Sequence, residues 1–246
     1  MKLLSIFLYF LIISFSKYSY SDVINTKYDL NITILGVNIK IGEINSQLVI
    51  KDSIYNLSYD LISENLVSIF TPINGNGEVA GTIVNSKLVP NHYFYTYKKK
   101  DKIKTTNIKF NNSNVSFANV NPPFEKSKLT IVSDEMLKNV IDPTTAIIII
   151  GDYKLNNECT VDYRIYDGKR RYDLQYQEKY IEDNNIVCSL VRYKVGGFKL
   201  KDDEVNPFKP AQRIDTYFEL INDEYILKKI ITRNRFSEIS IDVSRY

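Results

Sequence analysis

From Tyr28 onward the chain alternates apolar and polar residues with a period of two. Leu30, Ile32 and Ile34 stand against Asp29, Asn31 and Thr33, and Val37, Ile39 and Ile41 against Asn38 and Lys40. Gln47 to Ile50 and Tyr55 to Leu61 continue in the same manner. That period belongs to a strand with one face buried, so the pattern predicts half-buried antiparallel strands. Turns are expected at Leu35-Gly36, Gly42-Glu43, Lys51-Asp52-Ser53 and Asn74-Gly75-Asn76-Gly77. Tyr93, Tyr95 and Tyr97 alternate up to a basic run at Lys98 to Lys102, with Ile108 and Phe110 on the return. This reads as an exposed hairpin, with an anion- or membrane-contacting patch as the functional alternative.

The pattern breaks at Asn121-Pro122-Pro123. Ser133 is placed to cap a short helix whose first turn holds Asp134 and Glu135 and whose apolar face holds Met136, Leu137 and Val140. Asp142-Pro143 then reads as a second cap and first-turn proline. Ala146-Ile147-Ile148-Ile149-Ile150 follows, apolar on all sides, so protein must surround it. It is expected to be a helical connector buried against the concave face of a sheet, with Ile147, Ile148, Ile149 and Ile150 as candidate cavity lining. From Val161 to Tyr246 the strand pattern returns, without a fixed repeat or flexible linker. The expected architecture is mainly β: one domain over residues 22–246, built as a curved antiparallel sheet or open β-barrel with one short helical connector.

The first residues follow a different rule. Met1-Lys2 precedes an almost unbroken apolar run from Leu3 to Phe15, then small and polar residues up to Ser21. That is the layout of a secretory signal, with cleavage expected between Ser21 and Asp22. A membrane anchor is the alternative, although a spanning helix needs about 20 apolar residues. Removal of residues 1–21 takes away Lys2 and Lys17 and no acid, so the formal charge falls from +3 to +1. A nearly neutral chain has no global field to attract nucleic acid, and no later segment is long and apolar enough to span a bilayer as a helix. The apolar Ala146–Ile150 segment beside a long curved sheet points instead to an apolar or lipid-like small molecule, or an envelope client protein, as the partner.

Two cysteines in an exported chain suggest one disulfide, Cys159 to Cys188. The opposing consideration is that a simple meander places them on strands flanking a third, at a separation that could exceed the reach of a disulfide. Between them, Asp167-Gly168 predicts a two-residue hairpin turn. It would pair Ile165 with Arg170, Tyr163 with Tyr172 and Val161 with Leu174, and on the other face Arg164 with Arg171 and Asp162 with Asp173. Those four charges would form an alternating quartet. It is either a solvent-facing ion network or an arginine pair holding an anion.

Catalytic signatures are sparse. His92 is the sole histidine, following Pro90-Asn91 in what reads as a polar turn, and no nucleophile–base pair is indicated around it. Gly75, Gly77 and Gly81 lack the lysine and helix that make a phosphate loop. Asp202-Asp203-Glu204 lacks a calcium-ligand spacing, and one histidine with two cysteines supplies no four-ligand zinc set. No cofactor is expected, and an enzyme is the minority reading.

Several segments together resemble the exported bacterial family DUF3108, in the version found in alphaproteobacteria. These are Tyr28-x-Leu30-x-Ile32 with Gly36 to Gly42, Pro90-Asn91-His92-Tyr93, and Asp142-Pro143-Thr144-Thr145-Ala146. The most specific is Cys159 followed by Tyr166 to Leu174, Cys188 and Tyr193-x-x-Gly196-Gly197. Departures occur at Val195-Gly196-Gly197 and at Thr216-Tyr217-Phe218. The resemblance implies a periplasmic β-rich protein with no assigned activity, similar in architecture to lipoprotein carriers. The function expected is a non-enzymatic one, holding a lipid-like ligand or a client in the concavity of an open barrel. An envelope scaffold acting through protein contacts and an envelope hydrolase are the alternatives.

Overall fold

The computed structural model describes residues 22–64, 73–152, 154, 158–160, 162–199, 213–233 and 237–244. The predicted signal at 1–21 and the acidic triplet at 202–204 lie outside these residues. The first half of the chain forms seven strands: β1 (Asp22–Ile34), β2 (Val37–Lys51), β3 (Ile54–Ser63), β4 (Ile73–Val84), β5 (Lys87–Lys99), β6 (Lys102–Asn111) and β7 (Asn114–Asn121). Among the described residues two short 3-10 turns, Lys126–Lys128 and Asp134–Leu137, and one α-helix, α1 (Pro143–Ile150), follow. The second half adds β8 (Tyr163–Tyr166), β9 (Arg171–Glu182), β10 (Asn185–Gly196), β11 (Arg213–Ile221), β12 (Glu224–Arg233) and β13 (Ser237–Ser244).

All thirteen strands belong to one antiparallel sheet of order β7-β6-β5-β4-β3-β2-β1-β13-β12-β11-β10-β9-β8. The first strand thus pairs with the last, Lys27 opposite Ser244 and Ile34 opposite Ser237. Bulges at Leu30/Asn31, Ala80/Gly81, Lys109/Phe110, Ser189/Leu190 and Tyr217/Phe218 bend the strands, which curls the sheet. The expected open-barrel architecture is what the chain adopts.

The sheet does not close by β7–β8 pairing. A strap of irregular chain bridges the gap instead. The Val140 N–H donates to Ser113 O (2.8 Å) on the β7 side. The Ile141 N–H donates to Arg164 O (2.9 Å), and Ile141 O accepts from the Tyr166 N–H (3.0 Å), on the β8 side. Val140 is fully buried in this seam. The strap's last residue, Asp142, is also the cap of α1, so the seam and the helix are one continuous device.

α1 starts where its cap and proline predict. Asp142 Oδ1 accepts from the N–H groups of Thr144 and Thr145 (2.9 Å each), and Pro143 needs no partner at the first turn. Four consecutive isoleucines are poor helix formers, so packing rather than propensity sustains this short element. Ala146, Ile149 and Ile150 join the main core with Tyr55, Val79, Ile108 and Leu190. At Ser133 the expected side-chain cap is not made, and the segment stays a single 3-10 turn.

Four local expectations are corrected. Gly42-Glu43 is not a turn: both residues lie inside β2, where a Cβ on Gly42 would stand 2.8 Å from Ile62 O. His92 is not in a turn either but within β5, opposite Ala80 and Lys109. Asn74 to Gly77 belong to β4, where Gly75 and Gly77 leave room for tyrosine rings of the neighbouring strands. The β8–β9 loop holds four residues rather than two, because Asp167 Oδ1 takes the N–H groups of Lys169 and Arg170. The register moves by two, so Tyr163 faces Leu174, Ile165 faces Tyr172 and Arg164 faces Asp173. Opposite charges now stand across the ladder where like charges were expected, which is the favourable arrangement.

Candidate functional site

Among the described residues, the thirteen strands curl around more space than the eight-residue α1 fills. On one side of α1 the interior is solid, packed by the core residues of β3–β6 and β8–β10. On the other side lies a cavity of about 830 Å³, bounded by β1, β2, β3, β5, β12, β13 and the open flank of the helix. Its walls are mainly aliphatic, including Ile44, Leu48, Leu57, Leu227, Ile230 and Ile241. Ile147 and Ile148 project from α1 into this space. Ile149 and Ile150 do not line it: they are buried on the opposite flank, in the core. The run of four thus divides by helical phase, two to the void and two to the packed side.

Polar groups gather toward the helix N-terminus. Asp142 is fully buried, and Thr145 Oγ1 donates to its second oxygen at 2.6 Å. Thr145 Oγ1 also lies 3.0 Å from the Tyr55 hydroxyl, and Thr144 Oγ1 donates to the Tyr59 hydroxyl at 3.5 Å. Burial pushes the Asp142 carboxyl up to about 6, despite the hydrogen bonds that pull it down. Burial likewise raises the hydroxyls of Tyr55, Tyr59, Tyr93 and Tyr95 above the ordinary phenol value, so these groups stay neutral. Tyr59, Tyr93, Tyr95 and Thr144 line the cavity.

The glycines of β4 make room for these rings. A Cβ on Gly77 would fall 2.5 Å from the Tyr59 ring, and one on Gly81 would fall 2.5 Å from the Tyr55 ring and 2.4 Å from Val89 O. A Cβ on Gly75 would meet the Tyr95 hydroxyl at 3.2 Å. Gly75, Gly77 and Gly81 are therefore ring seats inside a strand, where close approach demands the missing side chain. The sequence signal was their odd-numbered spacing, in phase with Tyr55, Tyr59, Tyr93 and Tyr95.

Toward the helix C-terminus the cavity meets solvent. Ile24, Ile147, Tyr225 and Ile226 line it and remain exposed. The charged groups here are Asp152, Lys154, Glu158, Asp223 and Glu224. Lys154 Nζ reaches Glu224 at 2.8 Å, and Lys179 Nζ reaches Glu158 at 3.3 Å.

The other candidate residues lie elsewhere. Cys159 and Cys188 form a disulfide with their Cα atoms 5.6 Å apart, within the usual reach. The geometry is met because Cys159 sits in a turn ahead of β8, not on it, and packs with Cys188 and Phe218 across the sheet. The expected quartet does not assemble. Arg171 is 2% exposed, and its guanidinium donates to Met136 O (3.0 Å), to Tyr172 O (2.7 Å) and to Asp173. Arg164 is exposed across from Asp173, and Asp162 accepts the Tyr176 N–H (3.0 Å). Arg171 is thus a strut that ties the 3-10 turn to β9. His92 Nε2 meets Asn107 Oδ1 at 3.0 Å, away from the cavity lining. Among the described residues no cluster of three or more metal-ligating side chains occurs, and no helix is long and apolar enough to cross a membrane.

No curated protein matches the chain. Among solved structures, a β-barrel-like protein of domain of unknown function DUF1849 from Brucella abortus is similar, with a TM-score of 0.49 and 11% identity. The match covers 90% of this chain and 97% of that one. The family model described as "Protein of unknown function (DUF3108)" matches residues 27–233, which run from β1 to the end of β12. The chain therefore belongs to the DUF3108 family.

Proposed function

We propose that the protein holds one apolar, lipid-like molecule in its sheet-and-helix cavity and acts without catalysis, as a carrier or keeper of that molecule in the bacterial envelope. The observation that carries this reading is the cavity: about 830 Å³, walled mainly by aliphatic side chains and reaching solvent beside exposed Ile24, Ile147 and Ile226. Ligand sites span roughly 300–1,000 Å³ and are lined in this way. A large apolar void costs contacts on every wall, and an apolar guest restores them. The envelope location rests on the signal-like residues at the N-terminus and on the disulfide, which persists in an oxidising compartment.

The test is recovery of the mature protein from its own envelope fraction, followed by native mass spectrometry and solvent extraction. An apolar molecule of fixed mass bound one to one is expected. Its occupancy should fall in a Leu57→Trp variant, whose indole takes up part of the cavity. Protein that is empty from every source, and that binds no apolar fluorescent probe, would overturn the reading.

A further inference from the structure

The polar groups around the cavity include two ordinary sources of positive potential, and both are already engaged. The first is the N-terminus of α1, where the N–H groups of Thr144 and Thr145 point to Asp142 Oδ1. A buried carboxylate thus stands where an incoming anion would otherwise find free amides. The second is Lys154, the only lysine or arginine among the described residues that line the wall, whose Nζ lies 2.8 Å from Glu224. Around it stand Asp152, Glu158, Asp223 and Glu224, so acids outnumber bases at the solvent side even with Lys179 counted against Glu158. Uncharged hydroxyls are plentiful by contrast: Thr26, Tyr28, Ser46, Tyr59 and Thr144 all line the space.

A fatty acid or a phospholipid needs a cation, a fork of arginine N–H groups or free amides for its head. Among the described residues the wall offers none of these unpaired, and its acids repel the head instead. We infer that the ligand, on the lipid-holding role proposed above, is an aliphatic chain with an uncharged, hydroxyl-bearing head of the alcohol or monoacylglycerol type. The chain lies against Leu48, Leu57, Ile148 and Ile230, and the head hydrogen-bonds to neutral hydroxyls. The acidic solvent side sets the discrimination against anions.

The experiment uses three ligands of equal chain length: 1-decanol, monodecanoylglycerol and decanoate. Each displaces the apolar probe N-phenyl-1-naphthylamine from the mature protein at pH 8, where decanoate is ionised. The two uncharged ligands are expected to displace at concentrations at least tenfold lower than decanoate. An Asp223→Asn, Glu224→Gln variant, checked by its melting curve, should bring decanoate closer by several-fold while leaving decanol unchanged. Decanoate displacing as well as decanol, or a gap indifferent to the two substitutions, overturns the inference and leaves the holding role standing. Absence of any probe binding or displacement takes down both.

Discussion

The glycine seats in β4 lead to a graded prediction. Replacing Gly81 by alanine puts a methyl 2.4 Å from Val89 O and 2.5 Å from the Tyr55 ring, about 1 Å inside ordinary contact. Neither neighbour yields easily. Val89 O is backbone, and Tyr55 is fully buried with its hydroxyl 3.0 Å from Thr145 Oγ1. Overpacking of this kind costs about 1–3 kcal/mol. Loss of the tyrosine hydrogen bond adds roughly 1 kcal/mol. Removing a strand glycine returns about 0.4–1 kcal/mol through the unfolded chain. The net loss is about 1–3.5 kcal/mol, which for a domain of this size lowers Tm by roughly 2–14 °C. At Gly77 the collision is with the far end of the Tyr59 ring, which can swing into the cavity. Gly77→Ala should therefore cost less stability but should weaken binding of an apolar probe, and adding Tyr59→Leu should restore binding. At Gly75 the nearest atoms stand at 3.1 and 3.2 Å, so alanine there should be close to neutral. Thermal unfolding of the three variants, with probe titration, is the assay. Equal Tm values for all three, or a Gly81→Ala protein as stable as the parent, would refute the reasoning.

Three other outcomes are expected. Asp142 has a folded-state value of about 6 against an ordinary 3.8, so the folded protein binds its proton more tightly. The stability this contributes is fully present below pH 3.8 and is lost as pH rises through 6, about 3 kcal/mol in all. Urea unfolding of Asp142→Asn should lack that slope, whereas an unchanged slope would place the titrating group elsewhere. The Cys159→Ser, Cys188→Ser double variant should lose about 3–4 kcal/mol from the unfolded-chain effect of a 29-residue separation, measured by the same unfolding curves. Leu35 is 92% exposed at a left-handed φ of 50°, whereas the β2–β3, β4–β5, β6–β7, β9–β10 and β11–β12 turns place Asp, Asn or Ser there. Leu35→Asn should stabilise the fold by about 1 kcal/mol, and a lower Tm would show that the exposed leucine packs against something.

The strands of β1–β3 were legible in the sequence because a half-buried face writes itself as alternation. Asp142-Pro143 was legible because a cap and a first-turn proline are local chemistry. The β4 glycines misled for the same reason: Asn-Gly pairs are turn chemistry locally, and only the rings on neighbouring strands reveal them as seats. The β8–β9 register depended on two hydrogen bonds from the Asp167 side chain, which lengthen the loop beyond what Asp-Gly alone implies. Two of the four isoleucines in α1 were expected on the cavity wall with the others, but helical phase sends Ile149 and Ile150 away. The void itself left no mark in the sequence. It exists because the described strands curl more widely than α1 fills, and that is a property of the assembled sheet.

The pairing of β1 with β13 has a consequence for how the chain reaches its shape. Written in sheet order from β8 through β13 and on from β1 to β7, every neighbour but one is also a neighbour in sequence. The described strands form an up-and-down meander that has been circularly permuted, with its two edge strands, β7 and β8, in mid-chain and its first and last strands meeting at the centre. Thus the one pairing that spans almost the whole sequence, Lys27 to Ser244, stands in the middle of the sheet. Each half can zip from local hairpins as it emerges, but the halves cannot join until the last strand has been delivered. Closing so long a loop is the slow kind of contact in folding. A synthetic rearrangement that links β13 to β1 and opens the chain between β7 and the strap would keep every strand pair and convert that long closure into one more hairpin, moving the late closure to the seam between the strap and β7.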